Sequence, residues 1–365
     1  MASTKGRGRL FITDCEGPIS KNDNAYELTA HFVPDGDKFF TLISKYDDVQ
    51  ADVVKRRGYK AGDTLKLILP FFKAYGVTNK KMTKFSAQHI LLVPGAKDML
   101  RVIRGLMPSF IISTSYEQYM RALCDVVAFP YRNVHCTQLD IDTYRINAKE
   151  AERLRRLRKE IAAVPIIQIP SYAASIDDFS TRDKETIKRL DEIFWEEISG
   201  MNSGRILKEV NPIGGSEKAS GVQRIVSETG TDISETIYFG DSITDVQPFR
   251  LVNEHGGLTV SFNGNNYAVR EAEIAVLSGH TIITSVLAEV FNRLGKEQVI
   301  ELVKKWSYPA LRQYCSPALQ SRTVELYPKA LPQVELITPT NRERLIEEST
   351  AFRKTVRGEA VGGLG

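Results

Sequence analysis

The sequence predicts an α/β fold built on a doubly wound parallel sheet, and three observations lead to this class. Short apolar runs alternate with helical patterns, which is typical of parallel strands joined by helices. One apolar run ends at Asp14 and Glu16, and another, far downstream, ends at Asp241 and Asp245. Because open α/β sheets bind ligands at the carboxyl ends of their strands, we expect these four carboxylates in one crevice.

The core elements follow in chain order. The predicted strands are residues 9–13, 109–112, 134–140, the run that ends at Asp241, and 257–262. The helices between them are 97–104, which Pro94 opens, then 116–127 and 218–228. The core of the fold is therefore expected over residues 9–20, 91–145 and 211–280.

Two insertions and an extension surround this core. Between residues 21 and 90 the apolar positions recur with the helical period of about 3.6 residues, which predicts a helical cap. Residues 146–210 form a second helical insertion, in which 147–162 is amphipathic and Ser180 caps the next helix. Residues 281–365 predict a helical C-terminal extension that ends in a flexible, glycine-rich tail.

The composition excludes several classes of function. The 49 basic and 45 acidic residues leave a formal net charge of +4, which is too small to indicate a nucleic-acid partner. No apolar stretch approaches the roughly 20 residues of a membrane span, and no signal peptide precedes the first strand. The four cysteines lack the paired spacing of a zinc site, which predicts reduced thiols. A cytoplasmic protein is the simplest interpretation, and a protein partner or a homo-oligomer remains open.

The acidic clusters also predict a kind of chemistry. Four unpaired carboxylates in one crevice would repel one another strongly. A bound divalent cation relieves that repulsion, because hard cations prefer oxygen ligands. We therefore expect a divalent-metal site that works on phosphate.

Four motifs in this order resemble the haloacid dehalogenase superfamily, whose members are mostly phosphatases. They are Asp14-Cys15-Glu16, Phe110-Ile111-Ile112-Ser113, Lys218, and Gly240-Asp241-Ser242-Ile243-Thr244-Asp245. The helical segment after the first motif looks like the cap of phosphoserine phosphatase-like members. The whole chain also resembles an uncharacterised archaeal family that is labelled, from gene neighbourhood, as subunit R of energy-converting hydrogenase A.

The resemblance implies a role for each residue. Asp14 would be the nucleophile that forms an aspartyl phosphate, and Glu16 would move the protons. Ser113 and Lys218 would bind the phosphate oxygens. The cofactor would be Mg²⁺, and its implied ligands are Asp14, Glu16 through its backbone carbonyl, Asp241 and, in support, Asp245.

Two positions depart from the family pattern, and two assignments have rivals. Glu16 replaces the usual second Asp, and Pro18 stands where Thr or Val is common, which removes a backbone donor. For the phosphate hydroxyl, Thr114 and Ser115 are alternatives to Ser113. For the cationic group, Lys208 is the alternative to Lys218.

These residues together predict a Mg²⁺-dependent phosphatase of a small phosphorylated metabolite. Since folds outlast activities, one alternative is a catalytically weak or inactive accessory protein, for which the archaeal label suggests a hydrogenase complex. A further alternative is phosphotransfer to an alcohol acceptor. The sequence leaves the identity of the substrate open.

Overall fold

A computed structural model describes residues 8–170 and 172–364 of the chain. Its strands are β1 (Leu10–Thr13), β2 (Ser109–Tyr116), β3 (Val134–Thr137), β4 (Thr236–Gly240), β5 (Leu258–Phe262), β6 (Ile274–Leu277) and β7 (Gln333–Leu336). They form one sheet in the order β3-β2-β1-β4-β5-β6-β7. Adjacent strands run parallel except β6 and β7, which are antiparallel. The predicted doubly wound α/β class is confirmed.

The centre of the sheet is β1, whose four residues are fully buried. Such a strand is apolar throughout because helices cover both faces of a parallel sheet. Thr13, the last residue of β1, pairs in register with Ile111 of β2 and Phe239 of β4. The chain builds the sheet outward from β1 on one side and from β4 on the other. Asp14 and Asp241 therefore follow strands that meet at the switch point, where such sheets bind ligands.

Helices flank the sheet and form the insertions. In chain order they are α1 (Asn24–Phe32), α2 (Gly36–Asp48), α3 (Thr64–Ala74), α4 (Asn79–Gln88), α5 (Ala96–Leu106), α6 (Glu117–Val127), α7 (Ala148–Ala163), α8 (Thr181–Asp191), α9 (Gly204–Glu209), α10 (Ser216–Thr229), α11 (Val246–Glu254), α12 (Asn266–Glu271), α13 (Ile282–Leu294), α14 (Lys296–Lys304), α15 (Tyr308–Tyr314), α16 (Pro317–Leu326), α17 (Arg342–Arg357) and α18 (Glu359–Gly362). Phe11 and Phe239 face α5, α6 and α13, whereas Ile12 and Tyr238 face α10 and α11. The alternation along each strand thus fills two apolar layers.

The two insertions pack together as a single helical cap. Helices α1–α4 share one apolar core with α7–α9, although the core strands β2 and β3 separate them in the chain. Phe194, which follows α8, is fully buried against Tyr46 and Phe71 of the first insertion. Arg158 of α7 pairs with Asp35 at 2.7 Å. Each amphipathic helix has an apolar face that needs a partner, and here each insertion supplies it to the other.

The C-terminal extension differs from the sequence prediction in two respects. It contains β7, and the sequence patterns predict neither this strand nor β6. The glycine-rich tail was expected to be flexible, but residues 359–362 form α18, and Val361 and Leu364 are buried. Leu364 packs into the apolar core of the cap, which holds the tail in place.

Two predictions from composition bear on the described residues. Cys15, Cys124, Cys136 and Cys315 are buried free thiols. Across residues 8–170 and 172–364, no helix combines the length and apolar character that crossing a membrane requires.

Candidate active site

The predicted acidic clusters meet where β1 and β4 end. Carboxylate oxygens of Asp14, Asp241 and Asp245 lie within 4.8 Å of one another, and all three residues are buried. The side chain of Glu16 lies outside this group, because its Oε1 accepts a hydrogen bond from the backbone N–H of Asn24 at 2.8 Å. The structure therefore joins three of the four predicted metal ligands through their side chains. The carbonyl-ligand role of Glu16 stays a prediction.

Lys218 lies between two of these carboxylates. It is the third residue of α10, it is fully buried, and its Nζ donates to Asp14 Oδ2 at 2.5 Å and to Asp245 Oδ1 at 2.8 Å. Burial lowers the pKa of Lys218, but the two carboxylates outweigh burial and raise that pKa above its ordinary value. The rival Lys208 is exposed on α9. Of the two lysines, Lys218 is the one in the site.

Both oxygens of Asp14 are held in place. Oδ1 accepts from the backbone N–H of Cys15 at 2.6 Å, while Oδ2 accepts from Lys218. The backbone N–H of Asp14 donates to the carbonyl of Phe239 at 2.8 Å, which ties the residue to β4. Burial raises the pKa of Asp14, and the ammonium of Lys218 opposes that rise. The carboxylate is thus oriented before any ligand arrives.

Asp245 acts as a scaffold for its neighbours. Oδ1 accepts from Lys218 and from the hydroxyl of Tyr238 at 2.8 Å, and Oδ2 accepts from the backbone N–H groups of Asp241 at 3.0 Å and Ser242 at 3.2 Å. A carboxylate has about four lone-pair positions, and these four bonds occupy them. Tyr238 belongs to the apolar strand that is predicted to end at Asp241, and nothing in its spacing indicates that its hydroxyl contacts Asp245.

Two glycines of the motifs make room for the carboxylates. A Cβ on Gly17 would lie 2.2 Å from Oδ2 of Asp241, and Gly17 has a φ of +99°. A Cβ on Gly240 would lie 2.4 Å from Cγ of Asp245. Both positions need glycine because a carboxylate packs directly against the backbone, and Gly17 needs it also for its left-handed conformation.

Glu16 lies beside the first turn of α1. Burial raises the pKa of the Glu16 carboxyl to about 8, and the nearby carboxylate of Asp23 adds to the rise. A carboxyl with this pKa is largely protonated at neutral pH. It can therefore act as a proton donor.

The hydroxyl groups at the end of β2 divide into two sets. Ser113 is fully buried, and its Oγ accepts from the backbone N–H of Ser115 at 3.2 Å. Thr114 and Ser115, rather than Ser113, line the cavity next to Asp14. Oγ1 of Thr114 is buried and has no hydrogen-bond partner among the described residues. The assignment of Ser113 as the phosphate ligand remains a prediction, and its two rivals are better exposed to the cavity.

Two arginines of α17, which we call the arginine pair, reach the same site. Nη1 of Arg353 contacts Oδ2 of Asp241 and, at 3.2 Å, its backbone carbonyl. Nη1 of Arg357 donates to the same Oδ2 at 3.0 Å, its Nε donates to the carbonyl of Lys21 at 3.1 Å, and its Nη2 contacts the carbonyl of Asn22. The C-terminal extension therefore forms part of the site.

The contacts of the arginine pair do not follow from the sequence patterns. The charged, helical pattern of residues 341–357 predicts a helix, and the spacing of four residues between Arg353 and Arg357 places both on one face of it. The helix is anchored by Leu345, which packs against Val269 of α12 and Leu277 of β6. A periodic pattern indicates such a face but does not indicate what it contacts.

The cavity at this site has a volume of ≈ 100 Å³. Its wall comes from the core, the cap and α17, and includes Asp14, Glu16, Asp48, Ser115, Asp241 and Arg353. Core, cap and C-terminal extension therefore all border the space next to Asp14.

The donor set suits a small divalent cation. Asp14 and Asp241 offer the hard oxygen ligands that Mg²⁺ prefers. Both arginines contact Oδ2 of Asp241, and within residues 8–170 and 172–364 no hydrogen bond is made to its Oδ1. That oxygen is available as a ligand. The lone pairs of Asp245 are already used, which suits a supporting role.

Comparisons with known proteins agree with this geometry. Residues 112–285 match the family model for haloacid dehalogenase-like hydrolases. The matched span contains the end of the second motif, Ile112-Ser113, and the whole of the third and fourth motifs. The part of the α/β core within this span is therefore similar to haloacid dehalogenase-like hydrolases. The two carboxylates of the first motif precede the matched span, and β1 places them next to it.

Solved structures extend the comparison beyond this hydrolase core. Gene product AF1437 from Archaeoglobus fulgidus is similar with a TM-score of 0.80 and 27% identity, over 98% of this chain and 99% of that chain. The likeness therefore includes the cap and the C-terminal extension. Phosphoserine phosphatase in its apo form matches with a TM-score of 0.41 and 10% identity, over 75% of this chain and 95% of that chain. A phospho-aspartyl intermediate analogue of phosphoserine phosphatase matches with a TM-score of 0.40 and 10% identity, over 74% of this chain and 93% of that chain. A comparison with curated proteins found no match.

Proposed function

We propose that the protein is a Mg²⁺-dependent phosphatase of a small phosphorylated metabolite. The observation that carries the proposal is the buried Asp14–Lys218–Asp245 arrangement beside Asp241, at the switch point of a haloacid dehalogenase-like core. Asp14 and Asp241 would hold the cation, which when bound neutralises the charge of carboxylate and phosphate.

In the first half of the reaction, Asp14 is the nucleophile. A carboxylate oxygen of Asp14 forms a bond to phosphorus while the bond from phosphorus to the leaving oxygen breaks. Glu16, protonated at neutral pH, gives its proton to the leaving oxygen, which departs as an alcohol. The covalent product is an aspartyl phosphate on Asp14.

In the second half, water releases the phosphate. Glu16, now a carboxylate, takes a proton from the attacking water as its oxygen bonds to phosphorus. The bond between phosphorus and Asp14 breaks, which frees inorganic phosphate and restores the carboxylate. Lys218 and a hydroxyl at the end of β2, Ser113 by prediction, would stabilise the charge on the phosphoryl oxygens.

Hydrolysis of an aryl phosphate tests the proposal. We expect the full chain to release nitrophenol from p-nitrophenyl phosphate when Mg²⁺ is present, and Asp14→Asn to abolish release. Asp177→Asn is the matched control, because the Asp177 side chain is 96% exposed. A wild-type rate no higher than that of Asp14→Asn, with Asp177→Asn the same, would argue against a phosphatase.

A further inference from the structure

The arginine pair is buried, and its close ion pairs are made with a single carboxylate. The side chains of Arg353 and Arg357 are 4% and 5% exposed, and both contact one oxygen, Oδ2 of Asp241. Asp23 and Glu16 lie near enough for their charges to act on the pair, but among the described residues neither forms an ion pair with it. Two buried guanidinium groups thus share one close carboxylate, and buried charge is unfavourable unless it is paired.

Arg353 also has hydrogen-bonding capacity to spare. A guanidinium group carries five N–H donors, and both bonds of Arg353 come from Nη1. Its Nε is buried and has no partner in the part of the chain that the structure describes. A buried donor without a partner is unfavourable, so the site favours an additional acceptor next to Arg353.

The position of the arginine pair indicates where that acceptor belongs. Both arginines line the cavity that contains Asp14. Arg357 also holds the carbonyls of Lys21 and Asn22, in the segment that leads from β1 into the cap. Glu16 lines the same cavity, and its Oε1 accepts from the backbone N–H of Asn24, two residues beyond the Asn22 carbonyl that Arg357 contacts. Since Glu16 would protonate the leaving oxygen, the arginine pair lies on the side of the leaving group.

We propose that Arg353 and Arg357 bind a second anionic group on the leaving-group side of the substrate. This inference rests on the proposed phosphatase function and narrows its substrate to a phosphomonoester that also carries a carboxylate or a second phosphate. Planar guanidinium groups suit both kinds of group, because their N–H donors match paired anionic oxygens.

Three ligands on one two-carbon scaffold test this subsite. Phosphoglycolate carries a carboxylate, ethylene glycol bisphosphate carries a second phosphate, and ethyl phosphate carries neither. Binding is measured by calorimetry in the presence of Mg²⁺ with the Asp14→Asn variant, which lacks the proposed nucleophile and should not turn the ligands over. The value of kcat/KM is measured with the wild type. We expect at least one of the two ligands that carry a second anionic group to be favoured over ethyl phosphate by about tenfold, both in affinity and in kcat/KM. The ligand that is favoured shows whether the arginine pair prefers a carboxylate or a second phosphate.

Variants assign the preference to the arginine pair. Arg353→Gln and Arg357→Gln should remove the preference, so that the favoured ligand loses about tenfold more than ethyl phosphate does. Arg344→Gln is the matched control, because Arg344 lies on the same helix but pairs with Glu335 and Glu348 at the surface. If a Gln variant fails to fold, Arg353→Lys keeps the charge, loses the planar fork, and is expected to lose most of the preference.

Several results would overturn the inference. The first is equal affinity of the wild type for all three ligands, and the second is a preference that survives Arg353→Lys and both Gln variants. The third is a loss of affinity for ethyl phosphate as large as that for the other two ligands, which would indicate that the arginines bind the transferred phosphoryl group. If the wild type still hydrolyses p-nitrophenyl phosphate, such a result removes the subsite alone. If the wild type hydrolyses none of the phosphates, the proposed function fails with it.

Discussion

Lys218 lies buried between Asp14 and Asp245, and its charge makes their proximity possible. Three carboxylates within 4.8 Å would repel one another strongly without a cation. The ammonium pairs with two of them, and Asp245 is further held by Tyr238 and two backbone N–H groups. The carboxylate of Asp14 is thus oriented by contacts that exist without any ligand.

Removing this ammonium should destabilise the fold. Lys218→Met leaves two buried carboxylates without their cation, and breaking a buried pair in this way costs roughly 3–5 kcal/mol of unfolding free energy. Urea denaturation at neutral pH measures the loss. The loss of unfolding free energy caused by Lys218→Met should become smaller as the pH falls, because a protonated carboxyl needs no counter-charge.

Lys208→Met is the control for this prediction, because Lys208 is exposed and its loss should change stability by less than about 0.5 kcal/mol. Equal stabilities of the two variants would contradict the electrostatic role of Lys218.

The two departures from the family pattern have local explanations. The longer side chain of Glu16 reaches the backbone N–H of Asn24 at the start of α1, so it links the nucleophile loop to the cap. Pro18 lies in a turn whose hydrogen bonds use the N–H groups of Gly17, Ile19 and Ser20. The missing N–H of proline therefore removes none of them.

At the scale of elements, the cap depends on both insertions. Phe194 belongs to the second insertion, yet it packs on Tyr46 and Phe71 of the first, with ring centroids 5.8 and 6.3 Å away. Neither insertion buries its apolar face alone. The helices that cover the site should therefore lose stability together.

Truncating Phe194 tests this joint core. Phe194→Ala should lower the unfolding free energy by about 3–5 kcal/mol, the usual cost of removing a buried phenyl group. Hydrogen exchange should accelerate in α3 of the first insertion as well as in α8. Tyr172→Ala is the control, because Tyr172 is 75% exposed. Acceleration confined to residues 181–200 would show that the insertions are independent.

The helix α17 connects the C-terminal extension to the candidate active site. It is anchored by Leu345 on the far edge of the sheet, and its last two turns bring Arg353 and Arg357 to Asp241. Core, cap and extension thus each contribute side chains to one cavity. Under the proposed role of the arginine pair, α17 would link the C-terminal extension to the choice of substrate.

At the scale of the whole molecule, the sheet order explains which features the sequence could predict. Asp14 and Asp241 each follow an apolar strand directly, so a local pattern predicted that they meet. The contacts of Phe194 and of Arg357 join segments far apart in the chain. Periodicity identifies the face of a helix but not its partner.

The central claim is that Asp14 is a phosphate-accepting nucleophile next to a metal site. It is tested most directly by a crystal structure of the full chain with Mg²⁺ and BeF₃⁻, which mimics a phosphoryl group on a carboxylate. We predict beryllium bonded to a carboxylate oxygen of Asp14, with Mg²⁺ between Asp14 and Asp241. A crystal grown under those conditions with Asp14 unmodified, or with BeF₃⁻ bound elsewhere, would contradict the account.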